Sequence, residues 1–206
     1  MKYFLSLCLV LAAALPARAQ QAPTPDQMIK TVTGDVLDIV RKDKDIQAGN
    51  SKKAMELIDA KVLPHFNFGH MTALAMARNW RQATPEQRKV LIDEFRTLLV
   101  RTYSRALTEY RNQTIEFKPF KMNPGDTDVK VRSEVVEAGA KPIPLDYYVE
   151  KNGDEWKVYD IEVSGVSLVT SYRSEFAATV SESGIDGLIK ALQAKNRNGG
   201  EKAAAK

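Results

Sequence analysis

Apolar side chains first recur at helical spacing. Ile29, Val32, Val36 and Val40 form one stripe, closed by the charged run from Arg41 to Asp45 and by Gly49-Asn50. Two near-identical devices announce helix starts: "TPDQ" at Thr24 to Gln27 and "TPEQ" at Thr84 to Gln87. Each offers a Thr N-cap, Pro at the first helical position, an acid, and a Gln that closes a capping box. Behind the second, Leu91, Phe95, Leu98, Leu99, Tyr103, Ala106, Leu107 and Tyr110 keep helical spacing for about seven turns. Between the two, residues 53–62 and 71–78 predict shorter helices, separated by "LPHFNFGH", where Pro64 and Gly69 act as breakers.

From Thr114 the period becomes two. "TIEFKPF", "DVKVRSEVV", "IPLDYYVEK" and "WKVYDIEV" alternate, divided by "NPGD" from Asn123, by Ala138-Gly139 and by Asn152-Gly153. Such short connections predict an antiparallel meander, with a tight hairpin at Asn152-Gly153. The stretch "WKVYDIEVSGVSLVTSYRSEF" then switches back to helical spacing across Ser164-Gly165, with Leu168, Val169, Tyr172, Phe176 and Val180 in line, followed by Ile185, Leu188, Ile189 and Leu192. Helices, strands, then helices predict an α+β fold: a twisted antiparallel sheet of four or slightly more strands with helices on one face. Tyr159, Ile161 and Val163 are expected on the covered face, matched by Val129, Val131, Leu145, Tyr147 and Val149. These side chains either fill each other's space or leave a cavity under the concave sheet; periodicity does not decide.

Length and composition narrow the class. The 206 residues suffice for one domain with a substantial core. Residues 1–19 have the form of a secretory leader: Lys2, an apolar run from Phe4 to Leu15, and the cleavage pattern Ala17-Arg18-Ala19. The lone cysteine, Cys8, lies inside it, so residues 20–196 form a thiol-free domain held by its core, ahead of a Gly/Ala/Lys-rich tail at 197–206 expected to be disordered. Loss of Lys2 and Arg18 with the leader lowers the formal net charge from +4 to +2, too weak a bias for a nucleic-acid module. Arg88, Lys89, Arg96, Arg101, Arg105 and Arg111 fall mostly off the apolar stripe of the long helix, which gives a solvated face or a docking surface.

Candidate chemistry is sparse. His65 and His70, five positions apart, match neither a helical ligand pair nor a Cys/His spacing, and no metal or other cofactor is implied. "GVSLV" lacks the second glycine of a nucleophile elbow. Asp160 and Glu162 would serve an enzyme of the cone-shaped, nuclear-transport-factor-like type only if one of them entered a pocket; their alternation places both on the open face. A structural adaptor with a filled core is the third class.

Three stretches in order, "VLPHFNFGHMTALAMARNWRQATPEQRKVLIDEFRTLLVRTYSRAL", "WKVYDIEVSGVSLVTSYRSEF" and "SGIDGLIKAL", resemble the periplasmic phospholipid-carrier family of the lipid-asymmetry maintenance pathway, also called the toluene-tolerance auxiliary family. One departure is "ALAMARNW", where members commonly show a Leu-Gly pair before the Trp-Arg; it alters a helix end. The resemblance implies a monomeric periplasmic protein, without stable membrane insertion, that carries single phospholipids between an outer-membrane lipoprotein complex and an inner-membrane ABC transporter complex. It implies an apolar cavity walled by Leu99, Tyr103, Val131, Tyr147, Val149, Ile161, Val163, Val166, Leu168, Val169 and Tyr172, with the head group at the mouth. The backbone N–H groups at 165–168 would then either receive a phosphate oxygen or be capped by Ser164. Arg88, Arg96, Arg101 and Arg105 would steer docking.

Overall fold

Thr24 and Thr84 each stand in extended backbone ahead of a proline and each opens a helix in the computed structural model, which describes residues 23–204. Gln27 and Gln87 reach back to accept the Thr24 and Thr84 N–H groups at 3.2 and 3.0 Å. The expected leader, and Ala205 and Lys206 of the expected tail, lie outside the described residues. The first device starts α1 (Pro25–Lys42), followed by the single turn α2 (Lys44–Gln47), α3 (Ser51–Lys61) and α4 (Phe68–Met76). The second starts α5 (Pro85–Tyr103).

The predicted seven-turn helix is broken near its end. Ser104 separates α5 from α6 (Arg105–Glu109): its hydroxyl turns back to the Arg101 carbonyl, and Leu107 N–H reaches Ser104 at the tighter i−3 spacing. Tyr110 beyond is extended, its hydroxyl donating to Gln113 O at 2.7 Å and accepting from Arg41 Nε at 2.8 Å. The break redirects the last apolar positions of the stripe.

The sheet has five antiparallel strands in chain order: β1 (Thr114–Phe117), β2 (Asp128–Val136), β3 (Ile143–Asn152), β4 (Glu155–Val163) and β5 (Val166–Ser167). Ser164 and Gly165 have φ of 50° and 81°, the signature of a two-residue I′ hairpin turn, so β4 folds back into β5 before the chain turns helical. After β5, α7 (Arg173–Ala204) is interrupted at Gly184, whose φ of 71° parts it into the two helices expected from the spacing. Helical backbone runs on through 197–204.

One register expectation is overturned. Tyr148 opposes Asp160 while Val149 opposes Val158, so Tyr159 is the extra residue of a β-bulge. The bulge sends Tyr159 to the outer face, where its ring stacks on His70 at 4.5 Å and its hydroxyl bonds the Asp128 carboxylate at 3.0 Å. Val158, 3% exposed, takes its place inside, packed with Val131, Tyr147 and Val149 beneath Met28 and Ile29 of α1. A second core joins α4, α5 and α7 around Phe95, Leu91, Phe176 and Leu188, and a third joins α1 to α3 with Tyr110.

Candidate functional site

The helix α1 covers only part of the sheet's inner face. Nearer the β2–β3 turn the same face carries Val135, Ile143, Leu145 and Ile161, and across from them stand Leu99, Tyr103 and Leu107 of α5 and α6. Between lies a cavity of about 640 Å³, within the ~300–1,000 Å³ range of small-molecule sites. Its other wall is the segment after α3. There Asn67 is pinned: its N–H donates to Val158 O at 2.8 Å, its amide donates to Glu150 at 2.7 Å, and its Oδ1 accepts His70 N–H at 3.0 Å. That anchoring holds Phe66 and Phe68 on either side of it against the cavity, with Val62 and Met71 beside them. The lining is apolar apart from a few polar groups and three charged residues, Glu109, Glu137 and Lys141, all exposed.

Five of the eleven expected wall residues line this cavity: Leu99, Tyr103, Ile161, Leu168 and Val169. Val131, Tyr147 and Val149 lie in the packed layer beneath α1, because α1 closes that part of the sheet. Val163 is half-buried and lies off the lining, and Val166 is 58% exposed because the hairpin turn carries it onto β5 at the sheet edge. Tyr172 packs between Phe95 and Phe176, at 5.3 and 5.7 Å between ring centroids. Burial, with Tyr172 and Asp160 close by, pushes the Tyr103 phenol up to about 12. The α3 end and the "LPHFNF" stretch were not expected in the wall; no periodicity marks them, since Phe66 and Phe68 owe their position to the Asn67 anchor.

Neither candidate acid lines the cavity. Glu162 accepts the Tyr148 hydroxyl at 2.7 Å on the outer face, with Lys130 Nζ at 3.8 Å. Asp160, 6% exposed, accepts from Ser167 Oγ at 2.5 Å and from Ile161 N–H at 2.8 Å, and burial pushes its carboxyl up. Ser167 Oγ in turn accepts the Val169 and Thr170 N–H groups at 3.2 and 2.8 Å, so the cap of this turn is Ser167 and not Ser164. Leu168 N–H is taken by Ile161 O at 2.8 Å and is not open to a phosphate. His65 is pushed down by burial and by Lys157, and His70 lies 2.9 Å from Glu150 Oε2. Among the described residues, no group of three or more His, Cys, Asp or Glu converges as a metal site, and no helix is long and apolar enough to cross a membrane.

The α5–α6 arginines are engaged within the fold. Arg88 donates to Trp80 O at 3.1 Å and lies over its ring, Arg96 reaches Asp59 of α3 at 3.3 Å, Arg101 bonds Asn196 O, and Arg105 pairs with Glu109 at 2.6 Å. Arg96 and Arg101 link α5 to α3 and α7, while the Arg105 pair lies within α6.

Comparison with known proteins adds four findings. A family model described as MlaC protein matches residues 30–194. The chain is 29% identical over 202 residues to the intermembrane phospholipid transport system binding protein MlaC of Haemophilus influenzae, covering 93% of this chain and 92% of that one. It is 28% identical over 179 residues to the toluene tolerance protein ttg2D of Pseudomonas putida, covering 86% and 83%. Among solved structures, a phospholipid-binding protein from Ralstonia solanacearum in complex with a phospholipid superposes with a TM-score of 0.80 at 42% identity, over 86% of this chain and 99% of that one.

Proposed function

Because the chain belongs to the MlaC protein family, we propose that it is a soluble, monomeric periplasmic carrier that holds single phospholipids by their acyl chains in the cavity. It shuttles them between an outer-membrane lipoprotein complex and an inner-membrane ABC transporter complex. The observation that carries this reading is the cavity of about 640 Å³, apolar in its depth and charged only at exposed positions. Support for a phospholipid ligand comes from the phospholipid complex of the 42% identical structure. The transport role is supported by the names of the Haemophilus and Pseudomonas relatives.

Physical chemistry limits what such a carrier does. Acyl chains in a bilayer are already dry, so moving them into a protein cavity gains little hydrophobic free energy. The carrier instead avoids the cost of about 0.8 kcal/mol per methylene that transit through water imposes. Binding is therefore exchangeable, and the partners supply direction. A transfer assay tests this: the protein should speed movement of a fluorescent phospholipid from donor to acceptor vesicles, and the pair Leu107→Trp with Leu168→Trp, which narrows the cavity from two half-buried wall positions, should remove most of that gain while the far-ultraviolet spectrum stays that of the parent. Equal transfer by parent and variant would place carriage outside the cavity.

A further inference from the structure

Two of the cavity's charged positions flank the β2–β3 turn. Val135 and Ile143 are the last cross-strand partners of β2 and β3, and both line the cavity. Glu137 stands one residue beyond the end of β2 and Lys141 two residues before β3, and both line the cavity. A turn closed by Ala140 N–H to Glu137 O at 3.1 Å, with Gly139 at φ 81°, holds the two ends together. Facing them, Glu109 of α6 is neutralised by Arg105 at 2.6 Å. Neither Glu137 nor Lys141 has an ion-pair partner among the described residues. Among the described residues Lys141 is thus the one cation in the lining, and it sits at the exposed edge beside Ile143, which is 44% exposed.

We propose that Lys141, presented by the β2–β3 hairpin on the cavity face, is the phosphate contact of the bound lipid. It fixes the ligand with its phosphodiester at this hairpin and its acyl chains toward Phe66 and Phe68. The inference rests on the carrier reading above and adds a selection rule. A lone ammonium at an exposed edge attracts the phosphodiester that all glycerophospholipids share. It favours a phospholipid over an uncharged diacylglycerol of equal chain length, and the anionic glycerol head over the zwitterionic ethanolamine head, whose own ammonium opposes the lysine. Glu137 beside it opposes the phosphate, so the two hairpin charges act in opposite directions.

The test reloads the lipid-stripped mature protein from mixed micelles containing one lipid at a time, at subsaturating amounts, and counts bound lipid after gel filtration. With dioleoylphosphatidylglycerol, Lys141→Gln should load about threefold less than the parent and Lys141→Glu about tenfold less, the size expected of an exposed charge-assisted contact, and with dioleoylphosphatidylethanolamine the falls should have the same order and be smaller. Dioleoylglycerol should load equally in all three, which also shows that the variants fold. Glu137→Gln should load the phospholipids as well as the parent or better. At about 1 M salt, where screening shortens to about 3 Å, the differences should shrink. Parent-like phospholipid loading by Lys141→Glu, an equal fall with dioleoylglycerol, or a fall in Glu137→Gln matching that of Lys141→Gln would overturn the assignment. If the parent itself takes up no phospholipid, the carrier reading fails and this inference with it.

Discussion

Ala77 closes α4 at φ 48° and ψ −126°, a left-handed backbone that an L side chain with a Cβ seldom adopts. Replacing it should relieve strain: Ala77→Gly is expected to raise unfolding free energy by about 0.5–1 kcal/mol, read as a higher urea midpoint at unchanged slope. An unchanged or lower midpoint would show that the surrounding helix end already absorbs the strain. The stretch "ALAMARNW" was legible as a helix end, but the sign of φ at Ala77 was not, because alanine carries no signal for positive φ. Asn67 and Ser167 present the same limit. Both are common capping residues, yet which groups they hold depends on Val158, far along the chain from Asn67, and on Asp160, brought to Ser167 by the β4–β5 hairpin.

At the level of elements, both capping boxes, the meander and the two-part final helix were readable because each is written in local chemistry: Thr-Pro pairs, alternation, and Gly184 between two apolar stripes. The bulge was not. In "WKVYDIEV" the apolar phase slips by one at Val158-Tyr159, but two consecutive apolar residues leave open which of them faces the core, and only the pairing with β3 shows that Tyr159 has no opposite residue. The turn at Ser164-Gly165 was visible as a joint, whereas the two-residue β5 was too short for any pattern. Its consequence is a graded prediction for the segment that follows. Val166→Asp, at an exposed edge position, should alter neither stability nor lipid occupancy. Leu168→Asp, on the cavity wall and half-buried, should cut occupancy strongly at a stability cost of about 1 kcal/mol. Val169→Asp, fully buried, should lose both. Thermal melts and extracted-lipid counts on the three variants check it; equal losses in Leu168→Asp and Val169→Asp would make the wall part of an ordinary core.

For the molecule as a whole, an α+β layout followed from the order of periodicities, but a cavity did not, because an apolar stripe looks the same whether it meets a partner or faces a void. What opens the space is tertiary: α1 closes only the part of the sheet over Val131, Tyr147 and Val149, and the break at Ser104 separates α5 from α6 over the rest. Six of the expected wall residues therefore lie outside the lining, while the "LPHFNF" segment, unmarked by any period, supplies part of it. The arginines of α5, read from spacing as a solvated or docking face, are exposed at Arg96 and Arg101 and also link that helix to α3, α7 and the Trp80 turn. The central claim is that the cavity is a phospholipid site. Its most direct measurement is organic extraction and mass spectrometry of the protein purified without detergent or added lipid. A dry apolar cavity of this size should return phospholipid close to one molecule per chain, whereas protein that is folded and monomeric but free of phospholipid would contradict the account.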